Sequence, residues 1–495
     1  MNASPADSKQ LIDAHRWKHL ARWHGDGYYA LATSDIADVP VRLFLTPHLL
    51  ESAEETLYRQ IVNATRFPGV RMVVITPDVH YGYGVPVGCV LITDYERGAI
   101  AMGPVGYDIG CGMMSASSDV DVDAATPNKR RQFNQAVMDR VSMGTGGKSH
   151  RLGNLSESEF NNLVRGGAEY YVDKYGATLD RSRAERHRIP VDDDWQPPWG
   201  GKGKPERGMR QIGSLGGGNH FIELQREVNS GKLFVQVHTG SRGFGHGLAT
   251  NYFEMARAEK PREIADIDLG YFTPDSKHYR EYLNAVAAGG NYAILNRLII
   301  FEQVAEAFRE TFDAELQLIY EISHNLVQKE WHPELGDVWV HRKGATRAFP
   351  ASYPLLKGTR WEDAGHPVLI PGSNKDFSYI LRPLPNALKS GYSVNHGAGR
   401  RLSRSQAARN LSQRKIDDEY AAAGILVNVD GHVPIDESSE CYKSSAEVLQ
   451  AILDARLAEV QYKLWPLASL KGVEEGPRWR KRKRGRSPRS SSEHF

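Results

Sequence analysis

Most residues of this chain that are equipped for chemistry fall in seven segments, all but one containing glycine, not in the apolar strands or helices where a core histidine would sit. In order they are residues 77–84 (PDVHYGYG), 106–112 (GYDIGCG), 216–221 (GGGNHF), 238–243 (HTGSRG), 323–325 (SHN), 341–347 (HRKGATR) and 395–400 (NHGAGR). Glycine turns after strands let a backbone approach a ligand closely. One histidine in such a turn is ordinarily a satisfied polar residue, and it is the recurrence that points to a shared site. Asp108 and Cys111 flank Gly110, so a tight turn can aim a carboxylate and a thiolate at one point. His220, His238 and His324 can complete a mixed oxygen, sulfur and nitrogen donor set, which suits a borderline divalent ion better than Mg2+. A thiolate can bridge two ions, so one cysteine suffices for a two-metal site.

Two other patterns carry no such weight. Residues 144–149 (GTGGKS) resemble a phosphate-binding loop, but Ser142 stands where its first glycine should fall. His324 and His332 lack the H-E-x-x-H arrangement of a zinc protease. The three cysteines, Cys89, Cys111 and Cys441, form no C-x-x-C pair, which excludes a disulfide framework and a zinc ribbon.

The elements that must position these loops are legible in outline. Residues 1–39 read as an N-terminal extension with a short helix over 8–23. Hydrophobic periodicity predicts helices over 51–64, 128–142 and 156–175, and a mostly helical stretch over 279–326. Runs rich in β-branched residues predict strands over 70–76, 85–93, 221–225 and 233–238, and shorter ones over 337–341, 367–371 and 377–382. Residues 176–210 turn polar and rich in Pro, Gly and Trp, and read as a surface insertion. Strands and helices alternate irregularly without a repeat. The expected class is α+β, a single large domain with central β-sheets and surrounding helices over residues 40–475.

Composition sets the remaining bounds. The 495 residues, 40% hydrophobic and 25% charged, are ordinary globular material. No run approaches the roughly 18 apolar residues of a membrane span, and the first residues lack a secretory apolar stretch, so the expected compartment is the cytoplasm. The net charge of +2 conceals an asymmetry, because residues 476–495 carry eight Lys and Arg against Glu493. That segment is expected to be a disordered basic tail, either a solvated extension or a phosphate-binding arm.

The segments PDVHYGYGVPVG, VGYDIGCG, SLGGGNHFIEL, HTGSRGFG, SHN, HRKGATRA and SVNHGAGRRLSR, in this order, resemble the RtcB family of RNA-splicing ligases over about residues 40–445. The resemblance implies a fold specific to that family. It also implies a GTP-dependent reaction that joins an RNA 3′-phosphate or 2′,3′-cyclic phosphate to a 5′-hydroxyl, in tRNA splicing or RNA repair, and it allows an activating protein partner. It assigns Asp108, Cys111 and His220 to one Mn2+ and Cys111, His238 and His324 to a second. His396 matches the histidine that becomes covalently guanylylated. Nucleotide contacts fall on Asn219, His220, Phe221, Ile222 and Glu223, with Glu223 reading the base edge. They continue on His324, Asn325, Pro371, Gly372, Ser373, Asn374 and Ser378, then on His396, Gly397, Ala398, Gly399 and Lys443. Arg242, Arg342, Lys343 and Arg347 are candidates for RNA phosphate contact.

One departure stands out. After Pro371-Gly372-Ser373 the family continues with Met or a similar residue and then small residues, whereas this chain has Asn374-Lys375-Asp376-Phe377. These residues are expected to lie against the nucleotide and alter its binding. Two other readings compete with the ligase. A metal-dependent phosphatase or cyclic phosphodiesterase acting on RNA ends would need the metal ligands but not His396. A non-catalytic RNA-binding homologue would not need Cys111 either.

Overall fold

In the computed structural model, which describes residues 11–36, 38–176 and 188–472, the β-branched runs flanking the glycine loops assemble into two large sheets. One has seven strands in the order Ala21–His24, Tyr28–Leu31, Val41–Leu43, Val70–His80, Val87–Asp94, Gly336–Lys343, Asn325–His332. The other follows the path Gln317–Ser323, Gly112–Asp121, Lys232–Thr239, Phe221–Glu227, Ala458–Lys471, Ser378–Pro383, Val368–Ile370, and Leu426–Val427 pairs alongside Ala458–Lys471. Pairing is antiparallel except where Val41–Leu43 meets Val70–His80 and where Leu426–Val427 meets Ala458–Lys471. The chain passes from one sheet to the other at His324, between the ends of Gln317–Ser323 and Asn325–His332. The architecture is a single large α+β domain with central sheets and surrounding helices.

The helix Tyr279–Phe312 is buried on every side through its middle, with its polar side chains such as Asn291, Asn296 and Arg297 hydrogen-bonded. It packs against the helices Glu157–Tyr175, Pro127–Arg140 and Arg242–Glu259 and against strands of both sheets. Tyr292, Leu295 and Ile299 join one core cluster, while Ile294, Leu298 and Phe308 join the next. Each such side chain contributes roughly 1.5–3 kcal/mol on burial, so this helix fixes the two sheets relative to one another. Ends of the flanking helices follow local chemistry. Thr126 and Ser156 cap Pro127–Arg140 and Glu157–Tyr175 by accepting from Lys129 N and Glu159 N, and Gly176 closes the latter in the left-handed region. Among the described residues no helix is long and apolar enough to cross a membrane.

Several elements differ from the sequence expectation. The described part of the N-terminal segment makes only one helical turn, Trp17–Leu20, and then a hairpin that extends the seven-stranded sheet. Its anchor is Trp17, 1% exposed and stacked on Tyr58. The stretch read as helix over 279–326 ends at Phe312, where Asp313 takes a left-handed conformation. Residues Gln317–Ser323 then form a strand whose Leu318, Tyr320 and Ile322 are buried in alternation. The helix Arg242–Glu259 was masked in the sequence by its glycines, yet packing requires them: a Cβ on Gly247 would stand 2.6 Å from Pro205 Cα. Of the polar insertion, residues 188–210 are described and lie along the helices, with Asn251, Asn284 and Asn291 bonding their backbone. The basic tail lies outside the described residues.

Candidate active site

Five of the expected ligands converge where the two sheets meet. The turn Asp108–Cys111 is closed by Cys111 N donating to Asp108 O over 3.1 Å, with Gly110 at φ +76°. Cys111 Sγ lies 3.6 Å from His220 Nε2 and 3.3 Å from His238 Nε2. His220 Nε2 is 3.1 Å from Asp108 Oδ2, and His238 Nε2 is 3.3 Å from His324 Nε2. Two donor sets result, Asp108, Cys111, His220 and Cys111, His238, His324, sharing the thiol. Donors bound to one ion at about 2.0–2.3 Å sit roughly 3.3–3.7 Å apart, so the spacing is that of a metal centre.

Protonation supports the same reading. His220 Nδ1 faces the Leu215 carbonyl at 3.0 Å, and His238 Nδ1 faces the Asn219 carbonyl at 3.0 Å. A carbonyl only accepts, so both rings carry their proton on Nδ1 and turn an Nε2 lone pair inward. Two imidazole lone pairs and a carboxylate thus converge on a single thiol hydrogen, and a divalent cation resolves that surplus of acceptors. Burial holds the His238 and His324 rings well below the usual histidine range, which keeps them neutral and able to ligate. Burial would raise Asp108, but the adjoining His220 ring and the hydrogen bond from the Ser241 backbone prevail and hold it far below the usual carboxylate range. The structure therefore brings together a site for a metal cofactor.

One buried guanidinium sets the loops behind these ligands. Arg297, wholly buried on the long helix, donates through Nη1 to Gly110 O and Thr239 O, both over 2.8 Å, and through Nη2 to Ser323 Oγ over 2.8 Å. Each acceptor is the neighbour of a ligand: Cys111, His238 and His324. Glu321 balances the charge, receiving Arg297 Nε over 2.5 Å. Asn325 ties the crossover down by donating to Asp108 O over 3.1 Å and accepting from Gly344 N over 2.8 Å.

His396 stands beside this cluster, its ring edge-on to His324 with centroids 4.9 Å apart. Its Nδ1 lies 2.6 Å from Asp78 Oδ2, and the same oxygen accepts from the backbone N of His396 over 3.0 Å and of Gly397 over 3.3 Å. Asp78 is fully buried, and although burial alone would raise it, the adjoining His396 ring holds its carboxyl below the usual range. The carboxylate fixes the proton on Nδ1 and leaves the Nε2 lone pair free. Close approach here needs Gly399, since a Cβ would stand 2.0 Å from Asp78 O. Sequence reasoning missed Asp78. The available signal was an acid in a glycine-rich segment with no role.

Both groups open into one cavity of about 450 Å³. On one side it is lined by Asn219, Phe221 and Glu223, by Pro371, Gly372, Ser373 and Asn374, and by the turn of Gly397, Ala398 and Gly399. Glu223 is pushed up to about 7 by burial, against the hydrogen bond it receives from Gln225 over 2.7 Å. Asn374 accepts from the Tyr420 hydroxyl through Oδ1, and its Nδ2 has no partner among the described residues. Lys471, which the sequence reading missed, also lines this side, with Nζ 5.3 Å from the Phe221 ring centre and 3.6 Å from Glu437 Oε2. Arg400 and Tyr442 lie beside it. Residue Ile222 instead packs into the core, and Ser378 sits behind the wall, receiving Gly372 N over 3.0 Å. Lys443 does not line the cavity: its Nζ donates to Pro77 O and Val79 O.

Other expectations need correction. Lys375 and Asp376 turn away from the cavity, Lys375 to Glu419 and Glu440 and Asp376 to Ser445 N, and only Asn374 of the divergent segment lines it. Arg342, expected at an RNA phosphate, is instead a core residue. Its guanidinium is paired with Glu330 and bonded to Ser393 Oγ, Gly391 O and Tyr392 O, and the side chain is buried away from any RNA. Arg242 reaches Gly144 O and Ser214 Oγ, and Arg347 lies over Phe349 and reaches Gln328, so neither lines the cavity. Lys343 alone of the four does. Residues 144–149 lie elsewhere.

Comparison with known proteins converges on one family. Residues 60–472 match the family described as tRNA-splicing ligase RtcB. The chain is 34% identical to the tRNA-splicing ligase RtcB of Pyrobaculum aerophilum, over 88% of its own length and 95% of that protein. It is 35% identical to the RNA-splicing ligase RtcB of Mycobacterium tuberculosis, over 83% of its length and the whole of that protein. The matched region spans every segment that builds the cavity, from the Asp78 strand to Lys471, and the chain is accordingly an enzyme of the RtcB family, the RNA-splicing ligases.

Proposed function

We propose that this chain joins an RNA 3′-phosphate or 2′,3′-cyclic phosphate end to a 5′-hydroxyl end, consuming GTP through a GMP-charged His396, in tRNA splicing or RNA repair. The observation that carries this reading is the pairing of His396 with Asp78 in the same cavity as the paired donor sets. A phosphatase or cyclic phosphodiesterase would need the donor sets but would not need a buried acid that holds a second histidine with Nε2 free.

A 3′-phosphate is a poor electrophile, because its dianion repels an incoming alkoxide and oxide cannot leave, so activation must come first. In the proposed first step His396 Nε2 attacks the α-phosphorus of GTP, the N–P bond forms, and the bond to pyrophosphate breaks. Asp78, held at Nδ1, offsets the positive charge that the ring acquires. The RNA 3′-phosphate oxygen then takes GMP from the histidine, giving a mixed anhydride from which the 5′-hydroxyl displaces GMP. Two Mn2+ ions, held by Asp108, Cys111 and His220 and by Cys111, His238 and His324, would supply charge neutralisation at the phosphate oxygens. On the nucleotide side, Glu223 accepts from the base edge, Asn374 Nδ2 offers an unused donor, and Phe221 with Lys471 completes the wall.

Incubation with GTP labelled at the α-phosphate and Mn2+, followed by denaturing electrophoresis, tests the reading. A labelled band that disappears when a 3′-phosphate RNA and a 5′-hydroxyl RNA are added, with joined product formed, is the expected result. Release of inorganic phosphate from the RNA without joining would favour the phosphatase.

A further inference from the structure

The cavity has a second wall that the nucleotide reading leaves unused. It is formed by Tyr83, Tyr107, Phe253, Asp268 and Lys343. Its residues are joined to one another. Tyr107 stacks on Phe253 at 4.8 Å and 8° and donates to Asp268 Oδ1 over 2.8 Å, and Tyr83 meets Tyr107 edge to face at 6.2 Å. Lys343 precedes Gly344, whose Cβ position would lie 2.9 Å from His396 Cε1.

Tyr83 is 68% exposed, and of the large apolar side chains exposed among the described residues it is the one that lines this cavity. An exposed ring on a loose loop would mean little. This loop is not loose. Gln60, 2% exposed, holds Gly82 on both its carbonyl and its N–H, over 2.5 and 3.0 Å. Asn63 donates to Gly84 O over 2.9 Å, and Lys343 Nζ donates to the carbonyl of Tyr83 itself over 2.7 Å. Three buried side chains thus fix the backbone on either side of a ring left open to solvent. Burying polar groups to immobilise an exposed aromatic is the arrangement of a binding platform, because a ring whose backbone is already fixed loses less entropy on contact.

We propose that Tyr83 is a stacking platform for the base of a terminal RNA nucleotide, which places that nucleotide's end at His396. The proposal rests on the ligase reading above. A π-face recognises any base, so the site takes an RNA end without regard to sequence. The bound base belongs either to the 3′-phosphate strand or to the 5′-hydroxyl strand, and the same chemistry serves both.

The test uses the full chain with Mn2+ and oligoribonucleotides carrying 2-aminopurine at one end or the other. Stacking quenches this base. Tyr83→Ala should abolish the quenching for one labelled strand and raise KM for that strand about tenfold. Tyr83→Phe should preserve both, and neither variant should change KM for GTP or formation of the GMP adduct without RNA. The strand whose signal is lost identifies the end. Unchanged quenching and RNA KM in Tyr83→Ala would overturn the proposal, as would a rise in KM for GTP alone. Loss of quenching in that variant, with no adduct in the unaltered protein, would instead remove the ligase reading and leave the stacking site standing.

Discussion

Asp78 and His396 are 318 positions apart in the chain, yet one carboxylate oxygen of Asp78 receives the ring Nδ1 and the backbone N of His396. This relationship defines which nitrogen of the proposed nucleophile is available. Asp78→Asn replaces an obligate acceptor by an amide that can present its N–H₂ to the ring, stabilising the wrong tautomer. Guanylylation should fall by about a hundredfold or more, the lower range of a lost acid–base interaction. Mn2+ stoichiometry, measured by equilibrium dialysis, should be unchanged. A parallel loss of metal would mean that Asp78 acts through the metal cluster.

Cys111 is the one residue shared by both donor sets, so Cys111→Ser should lower bound Mn2+ from the proposed two ions and abolish joining. Cys89 is a contrast of the same residue type. It lies wholly in the core, its thiol pushed up to about 12 by burial, and Cys89→Ser should leave metal content intact. Equal metal content in the Cys111 variant and the unaltered protein would remove the bridging role.

The raised value of Glu223 sets a pH dependence. Burial lifts the free carboxyl to about 7, while accepting from the N–H groups of a base requires the ionised form. Protonation therefore competes with the nucleotide. GTP affinity should be full above pH 7 and fall by about tenfold for each pH unit below it. Glu223→Gln should bind GTP more weakly and lose this slope. A slope that persists in the Gln variant would assign it to another group.

Arg297 should control metal affinity from behind the ligands. Replacing it by Met frees Gly110 O, Thr239 O and Ser323 Oγ and leaves Glu321 buried without its charge partner, at about 3–5 kcal/mol of stability. Arg297→Met/Glu321→Gln removes that stranded charge, so any remaining loss of Mn2+ affinity reports loop placement. Metal affinity equal to that of the unaltered protein in the double variant would limit Arg297 to a role in the core.

How much of this was legible follows from chain separation. Asp108, Cys111, His220, His238 and His324 could be proposed together because Asp108 and Cys111 share one glycine turn and the three histidines recur in polar segments that follow predicted strands or helices. Asp78 could not, since its partner is set by the approach of two turns from different parts of the fold. Lys471 lies at the end of Ala458–Lys471, and only the pairing Lys471↔Phe221 carries it to the cavity. The run His341-Arg342-Lys343 reads as a basic patch, but in the strand Gly336–Lys343 neighbouring side chains take opposite faces. Arg342 meets Glu330 in the core and Lys343 meets the cavity. The strand Gln317–Ser323 was lost because its apolar alternation follows directly on a long apolar helix. Short apolar runs do not separate the two periods.

The measurement that bears most directly on the central claim is the identity of the labelled residue after incubation with α-labelled GTP and Mn2+. The account predicts one GMP per chain on His396, acid-labile and alkali-stable as a phosphoramidate is, and absent from His396→Ala. That variant should still bind Mn2+ and should still join RNA supplied with a preformed 3′-guanylylated end. Label recovered on a lysine, or persisting in His396→Ala, would contradict it.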